Sequence, residues 1–299
     1  MKLSHFFVVM LAALVSFMTA CNTTSEPAKE AKTETTKAEK KQADKAKKTQ
    51  KAKAKKTDKA KKSDKTKKNA KAKAKQPAKK ITLEQAIKTA TTPVQYKRHE
   101  KRHAEKLAYA KANKDKIKIL MLGDSITHQW EYKPAAKAKA AYLDPYAVLN
   151  LGCGGDRTQH TLWIVEKSGI LEQIKPQLVT IMIGTNNRVE PKATAAGIKR
   201  IVDDVRKLYP DAKILLYAIF PRGKDNKDVR RIQNEKVNAE IVKLCDNKNV
   251  IWVDIRKKFL TKDGVLEKSV MPDLLHPRTS KAYSIWGKSL KPYFDKYGK

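Results

Sequence analysis

Cleaving an ester through a covalent intermediate takes a hydroxyl, a base that moves its proton, and donors for the oxyanion that forms. Residues able to fill those places recur along this 299-residue chain. Ser125 stands in Gly123-Asp124-Ser125-Ile126-Thr127, directly after the apolar run that ends at Leu122. Near the C-terminus, Asp273-Leu274-Leu275-His276 places a carboxylate three residues before a histidine, where it can orient the ring and stabilise an imidazolium. Two further blocks, Asn150 to Asp156 (NLGCGGD) and Gly184-Thr185-Asn186-Asn187, follow apolar runs of their own. His128 and His160 lack a carboxylate at the Asp273 spacing and read as packing or surface histidines. Ser125 is followed at two residues by Thr127, not Gly, and it exits the first strand of its domain; both features argue against the ordinary nucleophile elbow of α/β-hydrolases.

The elements that must position these groups can be read from periodicity. Apolar runs at Ile117 to Leu122, Ala147 to Leu151, Leu178 to Ile183, Lys213 to Ile219 and Val250 to Asp254 predict five strands. Between and after them, helices are expected at Asp156 to Ser168, Lys192 to Leu208, Val229 to Cys245 and Ser280 to Phe294. A further helix is expected over Ile81 to Ala112, broken at Pro93. Strands alternating with helices imply an α/β domain whose parallel strands join through right-handed crossovers. In such a sheet ligands bind beyond the strand C-termini, and Ser125, Gly155 and Asn186 all fall at strand exits.

GDS, GGD, GTNN and DxxH, in that order, resemble the SGNH (GDSL-type) hydrolases. NLGCGGDRTQHTLW, MIGTNN and FPRG are similar to the platelet-activating-factor acetylhydrolase-like branch, and the likeness runs from about Lys97 to the end. The resemblance implies a three-layer α/β/α fold on a five-stranded parallel, flavodoxin-like sheet. It implies Ser125 as nucleophile, His276 as base and Asp273 as its partner. The Ser125 N–H, the Gly155 N–H and the Asn186 amide would form the oxyanion hole; glycine suits the second place because close backbone approach leaves no room for a Cβ. No metal or organic cofactor is implied.

His99-Glu100-Lys101-Arg102-His103 matches the zinc-protease pattern H-E-x-x-H, but Arg98, Lys101 and Arg102 surround it with positive charge and no third ligand follows. It reads instead as a solvated basic helix covering one side of the domain. The three cysteines are too few for a disulfide framework; Cys153 and Cys245 read as buried thiols, with one disulfide between them left open.

Residues 1–20 read as an export signal: Lys2, an apolar run from Phe6 to Phe17, then Met18-Thr19-Ala20 before Cys21. Cys21 resembles the lipidated cysteine of a bacterial lipobox, which would hold the protein to a membrane in the cell envelope. Residues 21–80 read as a tether. Between Ala28 and Lys80 stand 23 Lys, six acidic residues and, Pro77 apart, no apolar side chain larger than Ala, so no face exists to dock a helix. This segment carries about half of the net charge of +35 and could touch an anionic surface. Nucleic acid is not an expected partner, because the chain has no module that reads it. Residues 81–299 form the expected catalytic domain. Its substrate is expected to be a small-molecule or glycan ester, with Arg157, Arg222, Tyr142 and Tyr146 as candidate contacts; Trp163 reads as core. An acetylated carbohydrate is the favoured acyl donor, and a lysophospholipid or acetyl phospholipid the alternative. A tethered polyanion-binding envelope protein is the reading from another class.

Overall fold

The structure, a computed structural model, describes residues 81–298. Cys21, the export signal and the tether therefore lie outside the described residues. Helix α1 (Leu83–Thr91) opens on a capping box in which Thr82 Oγ1 accepts the Gln85 N–H and Gln85 Oε1 accepts the Thr82 N–H. Pro93 separates it from a 3₁₀ turn at Lys97–His99 and helix α2 (Glu100–Ala112). There follow β1 (Ile119–Gly123), α3 (Ser125–His128), α4 (Ala136–Tyr142), β2 (Val148–Asn150), α5 (Thr158–Lys167) and β3 (Leu178–Met182). The chain continues through α6 (Pro191–Leu208), β4 (Lys213–Tyr217), α7 (Val229–Ile241), β5 (Val250–Val253) and α8 (Ser280–Tyr297).

All five strands are parallel, in the order β2-β1-β3-β4-β5. This is the flavodoxin-like order, and its direction reverses between β1 and β3, the place at the C-terminal edge where sheets of this kind bind ligands. Both faces of the sheet are covered, so the strands read as near-continuous apolar runs rather than alternating, with Asn150, Thr180 and Lys213 as the polar exceptions. Leu120, Leu122, Val179 and Ile181 enter one core with Ile164, Ile198, Ile201 and Val237. Ile119, Met121 and Met182 enter the other with Trp130, Tyr283, Trp286 and Phe294. Period-two side chains on two-sided strands thus give three layers.

Four expectations need correction. Helix α5 starts at Thr158, not at Asp156. The Asp156 N–H instead closes a turn on the Cys153 carbonyl at 3.2 Å, and the Thr158 N–H is capped from outside its own segment by Asn187 Oδ1 at 3.1 Å. Tyr142 and Tyr146 are not near the strand exits. Tyr142 packs against Gly287 of α8, and Tyr146 precedes β2, at the opposite end of the strands, bonding to Asp295 and meeting Phe294 edge-on. Helix α7 ends at Ile241 and passes into a 3₁₀ turn, so Cys245 lies in extended chain, half-buried. Cys153 and Cys245 are both free thiols.

The helix of the H-E-x-x-H pattern is the fourth. Its histidines are one turn apart and so share a face, and that face turns inward: His99 and His103 are buried while Lys101 and Glu105 point out. Among the described residues no helix is long and apolar enough to cross a membrane.

Candidate active site

β1 turns straight into α3 because Gly123 has no side chain. A Cβ there would lie 2.2 Å from Thr127 Oγ1 and 2.7 Å from the Met182 carbonyl oxygen. Asp124 then caps α3, its Oδ1 accepting the Ile126 N–H at 2.9 Å. Ser125 is the first residue of the helix, half-exposed at the sheet's C-terminal edge, and its N–H takes no acceptor among the described residues.

The loop after β5 brings His276 to it across 151 positions of chain. Ser125 Oγ lies 2.8 Å from His276 Nε2, and His276 Nδ1 lies 2.7 Å from Asp273 Oδ2. Asp273 Oδ1 accepts the backbone N–H groups of Leu275 and His276 at 3.1 and 2.8 Å, which fixes the turn between acid and base. Leu274, at its centre, adopts a φ of 55°, and its carbonyl oxygen accepts the Gly223 N–H at 2.8 Å. Burial opposes ionisation of Asp273. The His276 N–H and ring and the Arg278 guanidinium outweigh it and hold the carboxyl below its usual range. An ionised Asp273 only accepts, so Nδ1 carries the imidazole proton and Nε2 is left free to accept from Ser125.

Two more strand exits converge on the same place. After β2, Cys153 to Asp156 form a tight turn with Gly155 at φ 84°, as the third residue of a type II turn requires. The Gly155 N–H takes no acceptor among the described residues. After β3, the Asn187 N–H closes a turn on the Gly184 carbonyl, and Asn186 Nδ2 donates to the Asp156 carbonyl at 3.0 Å. One N–H of that amide is therefore used to join the two loops, and the other remains. Ser125, Gly155, Asn186, Asp273 and His276 are thus brought together.

The structure treats the expected substrate contacts differently. Arg157 precedes α5 and keeps a half-exposed side chain, while its backbone N–H donates to His160 Nδ1 at 3.2 Å. Arg222 is tied down: Nη1 donates to the Thr185 carbonyl and hydroxyl at 3.1 and 3.2 Å, bracing the loop that carries Asn186. His128 and His160 are half-buried packing residues, His160 stacking on Tyr96 at 4.6 Å. Trp163 packs against the core and against His103 at 5.0 Å.

Several supports escaped sequence reasoning. Arg231, almost fully buried, donates to the carbonyls of Arg222, Gly223 and Gly264, tying two loops of the site edge together. Asn187 bonds Thr158 through both ends of its amide. Asn187 stood in the GTNN block and Arg231 in the α7 sequence with nothing to mark these roles, since their partners lie 8 to 33 positions away.

Two carboxyl groups are buried behind the serine. Burial raises Asp124 to about 7, and burial together with the Asp124 charge raises Asp156 to about 8. Asp156 is fully buried, and among the described residues neither of its carboxyl oxygens has a hydrogen-bond partner, His160 Nδ1 and His99 Nε2 standing 3.7 and 4.0 Å from Oδ1. A folded-state value above the ordinary one near 4 means that the folded protein binds more protons than the unfolded chain, so stability falls as pH rises through this window. His103, His128 and His160 are pushed down to about 4, chiefly by burial, and give the opposite slope only below about 6.5. Above that pH the carboxyls act alone. Asp156→Asn is expected to flatten the loss of melting temperature between pH 6.5 and 8.5, by about 2–4 °C for each kcal/mol relieved at this chain size. Thermal melts at the two pH values check it; an unchanged slope would count against a protonated Asp156.

Residues 121–280 match the GDSL-like lipase/acylhydrolase family, a span that contains Ser125, Gly155, Asn186, Asp273 and His276. The chain belongs to that family. Over 160 residues it is 35% identical to platelet-activating factor acetylhydrolase IB subunit alpha2 of Rattus norvegicus, covering 53% of this chain and 68% of the relative. Over 171 residues it is 35% identical to the alpha1 subunit of Mus musculus, covering 55% and 70%. Among solved structures, a GDSL-like lipase from Bacteroides thetaiotaomicron superposes with a TM-score of 0.52 at 18% identity, over 67% of this chain and 97% of the other. An acetyl xylan esterase superposes at 0.50 and 18%, over 59% and 98%. These two likenesses show the fold alone. Family and relatives together make this GDSL-like protein a hydrolase that acts on esters.

Proposed function

We propose that this GDSL-like hydrolase is a serine esterase that removes short acyl groups, acetyl foremost, from carbohydrate hydroxyls. The observation that carries the mechanism is the chain Ser125 Oγ, His276 Nε2, His276 Nδ1, Asp273 Oδ2, with links of 2.8 and 2.7 Å at the C-terminal edge of the sheet. Ser125 Oγ attacks the acyl carbonyl carbon as its proton passes to His276 Nε2. The carbonyl oxygen becomes an oxyanion, met by the N–H groups of Ser125 and Gly155 and the remaining N–H of Asn186 Nδ2. Collapse breaks the bond to the leaving oxygen, which takes the proton from His276 and departs as the alcohol. Water then repeats the sequence on the acyl-serine and releases the acid. Asp273 stays ionised throughout and stabilises the imidazolium.

The acetyl group is supported by the relatives, which are named as acetylhydrolases. The carbohydrate is supported by the setting. Ser125, Gly155, Asn186 and His276 are all partly exposed, as is Arg157 two residues after Gly155, which suits a polar substrate. A phospholipid acetyl ester is the second reading, favoured by the 35% identity to platelet-activating factor acetylhydrolase subunits.

Hydrolysis of p-nitrophenyl acetate, butyrate and octanoate by the purified chain tests the first part. Turnover is expected to fall steeply beyond short acyl groups; a preference for octanoate would overturn the short-acyl reading. Acetate release from acetylated xylan against acetate release from an ether-linked acetyl phospholipid then decides the alcohol.

A further inference from the structure

Helix α2 supplies no reacting group, yet its inward face holds the loop that carries Gly155. Arg102 Nε and Nη2 donate to the carbonyls of Gly152 and Asn150 at 3.0 and 3.2 Å, while Glu131 pairs with the same guanidinium at 2.8 and 3.1 Å. His103 Nε2 lies 3.6 Å from Cys153 Sγ. His99, immediately before α2, donates from Nε2 to the Gly154 carbonyl at 2.8 Å. Positions 99, 102 and 103 share one helical face, so a single stripe reads along the loop from Asn150 to Gly154.

We infer that His99 is a positioning residue for the Gly155 N–H, because its bond to the Gly154 carbonyl oxygen sets the plane of the Gly154–Gly155 peptide. A trans peptide holds its C=O and N–H on opposite sides of one rigid plane. With the oxygen anchored toward α2, the N–H of the next residue is turned away from α2.

This peptide needs an anchor more than most. It joins two glycines, and the two common β-turn forms differ by a flip of this central plane. Neither glycine has a side chain to resist that flip. A Cβ on Gly154 would meet nothing closer than 3.9 Å, and one on Gly155 nothing closer than Tyr96 at 3.9 Å. The His99 ring itself is held. It is 8% exposed and meets the Tyr96 ring edge-on at 5.2 Å.

The inference rests on the reading in which the Gly155 N–H receives the oxyanion, and the test separates the two. In the full chain, His99→Phe keeps a ring but removes the donor, and His99→Gln returns an amide donor near the place of Nε2. With p-nitrophenyl acetate, His99→Phe is expected to lose about 10- to 100-fold in kcat with KM within about twofold, below the full loss of an oxyanion donor. His99→Gln is expected to recover most of it. A kcat unchanged in His99→Phe, an equal loss in both variants, or a change confined to KM would overturn the positioning role.

The Gly155 amide resonance in a ¹H–¹⁵N spectrum of the resting protein gives the answer without turnover. It is expected to shift or broaden in His99→Phe and to return in His99→Gln. An unmoved resonance in His99→Phe overturns the inference even if the wild-type chain cleaves no ester offered to it. That last result would count against the esterase reading alone.

Discussion

Ser125→Ala is expected to lower kcat for p-nitrophenyl acetate by about 10⁴- to 10⁶-fold, the range seen when a hydroxyl nucleophile is removed from a site of this kind. The loss should be specific to the chemistry. Ser125 is only partly buried, and the α3 cap is made by Asp124, so alanine leaves the turn and its hydrogen bond in place. Far-ultraviolet circular dichroism and the melting temperature should match the wild type. Adding His276→Ala to Ser125→Ala should cost little more, because nucleophile and base act as one unit. If the alanine variant kept even a hundredth of wild-type turnover, another group would have to be the nucleophile.

Asp273→Asn is expected to cost about 10³- to 10⁴-fold in kcat with a small change in KM. An asparagine can still accept the two backbone N–H groups that Asp273 Oδ1 binds, so the turn from Asp273 to His276 should survive. What changes is the group facing His276 Nδ1. An amide N–H there would favour the tautomer with its proton on Nε2, leaving nothing to accept from Ser125. The Asp273 side chain keeps 38% of its surface in contact with solvent, so water can restore part of the correct tautomer, which sets the expectation no higher. Steady-state kinetics check this, and retention of a tenth of wild-type kcat would remove Asp273 from its place beside the base.

The chemistry was more legible in the sequence than its scaffolding. Ser125, Gly155 and Asn186 could be placed on one edge because each directly follows an apolar run, and the C-terminal ends of parallel strands share an edge. The pairing of Asp273 with His276 was legible for the same reason, being local. Contacts made across the chain were not. The burial of His99 and His103 depends on the path of a loop about 50 positions away, and the lysines and arginines between them disguised an inward face as a solvated one. Arg222 read as a ligand for substrate because nothing nearby in sequence shows that it braces Thr185, 37 positions before it. The place of Tyr142 and Tyr146, by contrast, was legible as well: they precede the strand expected from Ala147, and in a parallel sheet that puts them at the edge opposite the strand exits.

The distance along the chain between Ser125 and His276 has a bearing on how the protein acquires its activity. Each local turn can form early, since closing a short loop costs little entropy. Bringing together groups 151 positions apart must wait until the intervening strands have ordered in the sheet. Under the proposed mechanism, a partly folded chain then carries Ser125 without His276 and is chemically silent. Ester turnover, unlike helix content, therefore registers the last stage of folding.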